Sequence, residues 1–119
     1  MEHHKLILPE HLNNKGTLFG GYLLKWVDEF AYITACLDFP RDSLVTVGLD
    51  NVEFKNPICP GQILRLDVVQ IRVGKTSVEY SVKVYGGRNH PDEDSEVLFE
   101  TKITFVSVDD AGIKKKVGG

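Results

Sequence analysis

From Gly20 to Leu37 the apolar positions recur at helical spacing. On a wheel of about 100° per residue, Leu23, Leu24, Val27, Phe30, Ala31, Thr34 and Ala35 form one wide apolar face. Trp26, Ile33 and Leu37 extend it around the back, and only Lys25 and Glu29 leave a polar strip. A helix this apolar is expected to be largely enclosed. Asp28 falls between Ala35 and Gly21 on the wheel, with Leu24 and Ala31 close by, whereas Glu29 points into the polar strip. The preceding stretch, His11 to Gly16, reads as a loop, with two asparagines and a glycine. Thr17 is a candidate N-cap, with Gly20 or Gly21 as alternative helix starts.

Beyond Phe39-Pro40-Arg41-Asp42-Ser43 the period changes from helix to strand. Leu44 to Phe54 alternates, with a bend expected near Gly48 or Asn51. Asn56 to Gly61 is a turn, and Ile63 to Val73 a second long strand. Gly74-Lys75 makes a tight connection into Thr76–Tyr85, where Val78, Tyr80, Val82 and Val84 share one face. Gly86 to Ser95 reads as a charged loop and Val97 to Val108 as the last strand; a turn at Asp109–Gly112 and a tail follow. Residues 5–8, ahead of the helix, are a short strand or a lead-in arm. Short turns impose antiparallel pairing. The expected fold is therefore α+β: one long buried helix wrapped by a curved antiparallel sheet of about five strands. Its outer face and edges would need cover, which implies association with further subunits.

The 119 residues suit one domain, 1–119, with a modest core. A net charge of −3 and the lack of a central Lys/Arg stripe argue against nucleic acid as the main partner. No apolar run is long enough to span a membrane, and the N-terminal one is too short for a signal peptide. The cytoplasm is the default compartment. Cys36 and Cys59 are then free thiols, and neither they nor His3, His4, His11 and His90 have metal-site spacing.

Asp28 has two readings: a structural cap or ion pair, or a carboxylate kept from water and available as base or nucleophile. Gly20-Gly21 also has two. Either the pair lets the helix pack closely on the sheet, or it lets a ligand approach backbone N–H groups at a helix N-terminus. Taken alone, Asn13 is a loop residue, Gly74-Lys75-Thr76-Ser77 a hairpin, and Lys114-Lys115-Lys116 a solvated tail.

Together these pieces resemble a family. Asn13-x-x-Gly16-x-x-Phe19-Gly20-Gly21, followed by Trp26-Val27-Asp28-Glu29 on the helix, is similar to the signature of hotdog-fold acyl-CoA thioesterases. The nearest branch holds the bacterial broad-range and brain-type cytosolic acyl-CoA hydrolases. Val45-Thr46-Val47, Phe54-x-x-Pro57-x-x-x-Gly61, Gly74-Lys75-Thr76-Ser77-Val78 and Thr104-Phe105-Val106 to Gly112-Ile113-Lys114 continue the likeness over about residues 6–116. Gln62 departs from it, since the family commonly has an acidic residue after the glycine.

The resemblance implies acyl-CoA hydrolysis with no cofactor, CoA being part of the substrate. Asp28 would be the catalytic base or nucleophile, and Asn13 would position the water or thioester. Gly20 and Gly21 would polarise the carbonyl. Thr76, Ser77, Lys114 and Lys115 lie where the family holds CoA. It further implies a homodimer at minimum, in a tetramer or hexamer, with Asn13 and Asp28 of one site coming from different chains. Acyl length would depend on the depth of a tunnel set by the packed dimer, which Trp26, Phe30 and Tyr32 could each shorten. The competing expectations are an acyl-thioester dehydratase, which needs a histidine-bearing site, and a non-catalytic acyl-CoA sensor.

Overall fold

In the computed structural model, which describes residues 1–86 and 97–118, one helix crosses one face of a five-stranded antiparallel sheet. The elements are β1 (Glu2–Leu6), a 3-10 turn (Pro9–His11), α1 (Gly20–Asp38), β2 (Ser43–Phe54), β3 (Ile63–Val73), β4 (Ser77–Tyr85) and β5 (Val97–Val108). The sheet order is β1-β3-β4-β5-β2. Most of the loop expected at 86–95 lies outside the described residues.

β4 is the central strand, and its alternation is the cleanest. Val78, Tyr80, Val82 and Val84 all face the helix, fully buried. They meet Phe99, Ile103 and Phe105 of β5 and Leu64, Leu66 and Val68 of β3. From α1, Leu23, Trp26, Val27, Ala31 and Ala35 complete this core. Tyr80 is buried to its tip, where its hydroxyl donates to Asp38 Oδ2 at 2.8 Å. Burial first, and that hydrogen bond second, push the Tyr80 pKa far above its ordinary value.

β2 forms one edge and is irregular. Its register against β5 shifts between Thr46 and Gly48 and again between Asp50 and Glu53, and Asn51 sits at φ 57°. The bend expected near Gly48 or Asn51 is thus two bulges. Val45, Val47, Leu49, Val52 and Phe54 remain exposed along this edge.

Several expectations are revised. Phe19, not Thr17, is the N-cap, and no side chain caps the helix. The first strand is Glu2–Leu6 rather than 5–8, because it pairs residue by residue with Asp67–Ile63. His3 and His4 lie on this strand. The helix is not enclosed all round: Tyr32, Ile33 and Leu37 stay exposed on the single chain. The residues after Gly112 are not an idle tail, since Val117 is buried and donates to the Lys75 carbonyl at 3.0 Å.

Candidate active site

The loop before the helix is tied off by its own asparagine. Asn13 Oδ1 accepts the N–H groups of Lys15 (2.9 Å) and Thr17 (3.2 Å), and Asn13 Nδ2 reaches Thr17 Oγ1 at 3.1 Å. Gly16 turns the chain at φ 77°, in the left-handed region where glycine is favoured. Leu12 then bridges Leu18, and the Leu18 N–H donates to the Ile58 carbonyl at 2.7 Å. His11 seats the loop on the helix. Its ring is buried 4.8 Å from Trp26 and 4.9 Å from Tyr22, its Nδ1 accepts the Leu8 N–H, and its carbonyl accepts the Phe19 N–H. Sequence reasoning treated His11 as a scattered histidine, and nothing in the local pattern distinguished it.

This arrangement delivers the chain to Gly20 with its first helical N–H groups unused. Neither Gly20 nor Gly21 donates to an acceptor among the described residues, whereas the Tyr22 N–H already returns to the Phe19 carbonyl. Gly20 borders a cavity of about 310 Å³, with apolar walls from Leu18, Leu23, Phe54 and Ile58 and a polar rim that includes Thr17 and Lys55. Gly21 faces instead a shallower depression beside Phe19, Tyr22 and Lys25. A Cβ on Gly20 would meet only the Phe54 ring, at 3.4 Å; one on Gly21 would meet the Phe19 ring at 2.7 Å. Phe54 is 57% exposed and Phe19 54%, so both rings have room to yield. Close packing of helix on sheet therefore does not explain the two glycines in a single chain.

Asp28 lies two turns further along. It is half-buried, and its Oδ1 accepts a 2.7 Å hydrogen bond from Thr46 Oγ1 on β2. Thr46 is a partner that sequence reasoning missed. The contact joins residues 18 apart in the chain and on different elements, so no local pattern showed it. Eight residues of helix separate Gly20 from Asp28, roughly 12 Å along the axis. Asp28 thus does not share the mouth of its own chain's cavity, whereas Asn13 reaches that mouth through Thr17.

The remaining candidates gather at another place. The Ser107 N–H donates to the Thr76 carbonyl at 2.9 Å, and the Lys115 N–H to the Ser107 carbonyl at 2.9 Å. The β3–β4 hairpin carrying Thr76 and Ser77 is thereby brought beside the segment carrying Lys114 and Lys115. Lys114 is exposed, while the Lys115 ammonium lies 4.0 Å from Asp42.

His3 Nε2 pairs with Thr34 Oγ1 at 3.0 Å and its ring stacks on Phe30. Neither His3 nor His11 lines the cavity at Gly20. His90 lies outside the described residues.

Residues 15–90 match the model of the thioesterase superfamily. An uncharacterised acyl-CoA thioester hydrolase of Bacillus subtilis is 35% identical over 106 residues, covering 89% of this chain; the chain spans only 60% of that relative's length. The acyl-CoA hydrolase of Staphylococcus aureus, solved with butyryl-CoA, CoA and CoA disulfide, superposes with a TM-score of 0.89 at 30% identity, over 100% of this chain and 71% of that one. Variants of that enzyme with one asparagine or one aspartate replaced by alanine have also been solved, and the two positions are 15 residues apart. A hexameric hotdog-fold thioesterase of Campylobacter jejuni superposes with a TM-score of 0.83 at 28% identity, over 96% of this chain and 86% of that one. The helix on its five-stranded sheet is the hotdog fold, and the chain belongs to the thioesterase superfamily.

Proposed function

We propose that the protein hydrolyses acyl-CoA thioesters to a carboxylic acid and CoA, at sites shared between two copies of the chain. The observation that carries this reading is the pair of N–H groups at the start of α1 that have no acceptor among the described residues, one of them at the mouth of a largely apolar cavity. The thioester carbonyl oxygen gains negative charge as it is attacked, and fixed N–H donors stabilise that charge. Asp28, steadied by Thr46, takes the proton from the attacking water. The tetrahedral intermediate collapses, the C–S bond breaks, and the CoA thiolate leaves with the proton returned by Asp28. The chemistry calls on no cofactor.

The relatives support this assignment. The Staphylococcus aureus enzyme binds CoA species, and the separation of its two replaced residues equals that of Asn13 and Asp28 here. The axial gap between Gly20 and Asp28 argues that the carboxylate serves the glycines of another copy. The exposed apolar edge of β2 offers a surface for that copy. We assign a homodimer as the working unit, within a hexamer like that of the Campylobacter relative. Thr76, Ser77 and the lysines at 114–116 would hold the CoA end. Free Cys36 and Cys59 suit a reducing compartment, and we place the protein in the cytoplasm.

The test is Asp28→Asn, assayed by thiol release from acyl-CoAs of graded chain length. The amide is nearly isosteric and keeps an oxygen for Thr46, so the melting temperature should hold while turnover falls at least ~100-fold. A variant that retains full turnover would remove Asp28 from the mechanism.

A further inference from the structure

Asp42 is an unusual carboxylate for a loop residue: its side chain is only 1% exposed. It lies in the turn after α1, where its N–H returns to the Phe39 carbonyl at 3.1 Å. Its Oδ1 accepts Ser107 Oγ at 3.0 Å, and its Oδ2 accepts the Gly118 N–H at 2.8 Å. The Lys115 ammonium stands 4.0 Å from Oδ1. A buried carboxylate is tolerated only with such partners. Here two of the partners, Lys115 and Gly118, lie on the segment that follows β5.

That segment is shaped to return. Asp109 Oδ1 accepts the N–H groups of Ala111 and Ile113 at 2.9 Å each, and Gly112 turns at φ 78°. The chain then runs back past Ser107 and meets the β3–β4 hairpin through the hydrogen bond from the Val117 N–H to the Lys75 carbonyl. Residues along it alternate in burial: Val117 is buried and Lys115 half-buried, while Lys114 and Lys116 are exposed. The result is a basic strap, fastened by one buried acid beside Thr76 and Ser77.

Resting on the acyl-CoA reading above, we propose that Asp42 is a positioning residue for the coenzyme. By clamping the strap it holds Lys114 and Lys116 in register with the hairpin, so that both meet the phosphates of one CoA. Asp42 touches neither substrate nor reacting atoms. Its removal should weaken recognition of the nucleotide end and leave the chemical step alone.

The experiment compares Asp42→Asn with the wild type on two substrates carrying the same acyl group, acyl-CoA and acyl-pantetheine, which lacks the nucleotide. CoA binding by calorimetry and amide hydrogen exchange at 113–118 are measured alongside. Asp42→Asn should raise KM for acyl-CoA and Kd for CoA about tenfold, with kcat and all acyl-pantetheine kinetics within twofold of wild type. Exchange along the strap should quicken. Ser107→Ala, which removes one partner of the carboxylate, should shift the same parameters about threefold and serves if Asp42→Asn fails to fold. Faster exchange with unchanged KM and Kd would reduce the clamp to a structural feature and overturn the proposal. So would equal losses on both substrates. If the wild type hydrolyses neither thioester, the enzymatic reading fails on its own, and the CoA affinity of the variants still decides the role of Asp42.

Discussion

Gly20→Ala separates a packing role from a ligand-approach role, because the two predict opposite signs for stability. Glycine in a helix is less stable than alanine by roughly 0.5–1 kcal/mol, partly through the freedom it confers on the unfolded chain. The φ of Gly20 is not in the positive range that alanine resists, so the new side chain adds no backbone strain. Its Cβ would lie 3.4 Å from Cζ and 3.5 Å from Cε1 of Phe54, whose ring is largely exposed and can retreat. Charging a few tenths of a kcal/mol for that retreat leaves a net gain of about 0.5 kcal/mol, or roughly 2 °C in melting temperature for a chain of this size. Activity should move the other way. Both Gly20 and Phe54 line the cavity, so the methyl enters the space where a carbonyl oxygen must come within about 3 Å of the N–H. Losing one such donor outright typically costs about 3 kcal/mol of barrier, roughly 150-fold; a methyl that obstructs the N–H without removing it should lower kcat/KM for acyl-CoA roughly 10- to 100-fold in a better-folded protein. Thermal melts and thiol-release kinetics on the same preparation decide it. A variant destabilised by more than about 1 kcal/mol would mean that the glycine is there for packing. A stabilised, fully active variant would mean that nothing approaches Gly20 closely.

Thr46→Val should lower kcat about tenfold and stability by about 1.5 kcal/mol. The lost bond is to a charged acceptor, but Asp28 is only half-buried, so the low end of the usual 1.5–3 kcal/mol applies. Turnover equal to wild type would show that Thr46 does not steady Asp28. Tyr80 supplies a pH prediction. Its pKa is raised in the folded state, so the stabilisation is complete below the unfolded value near pH 10 and is lost as pH rises towards the folded one. The loss amounts to about 1.4 kcal/mol by pH 11, read from urea midpoints at pH 9 and pH 11. Tyr80→Phe should be less stable at pH 9 and should lack this component of the alkaline slope; an identical slope in the variant would disprove the attribution.

Legibility in the sequence followed how local each cause was. β4 was readable because a central strand with one buried face shows a plain period of two. The helix was readable for the same reason at its own period. The N-cap was not, because Phe19 makes no side-chain cap hydrogen bond among the described residues, and a search for a capping residue stops at Thr17. Thr46 was not legible as the partner of Asp28, because the contact joins residues 18 apart on different elements. His3 and His4 carried no strand signal ahead of the apolar residues 5–8 until β3 supplied the strand that pairs with them. Asp42 looked like an ordinary loop acid, since its partner Ser107 lies 65 residues away along the chain. On the wheel, the contrast between Asp28 and Glu29 held up to the extent that Asp28 is half-buried and Glu29 exposed.

The division of the site between chains has a test that no single variant provides. Asn13→Ala and Asp28→Asn should each abolish thiol release as pure proteins. If a site takes Asn13 and the glycine N–H groups from one chain and Asp28 from the other, a mixed dimer has one site with both lesions and one with neither. Random exchange of equal amounts makes half of the dimers mixed, so activity should return to about a quarter of the wild-type value under two-fold symmetry. If the residues belong to one chain, every site in every mixture keeps a lesion and nothing returns. The geometry favours the first outcome. About 12 Å of helix axis separates Gly20 from Asp28, and a carbonyl whose oxygen meets the N–H groups at ~3 Å cannot also be within reach of a water held by that chain's own carboxylate. Asn13, by contrast, is bound through Thr17 to the rim of the cavity that Gly20 lines. Subunits should be unfolded and refolded together before the assay, since the exposed apolar edge of β2 predicts a dimer too tight to exchange freely. Mixed dimers that form, as shown by mass-tagged subunits, and remain inactive would refute the shared site.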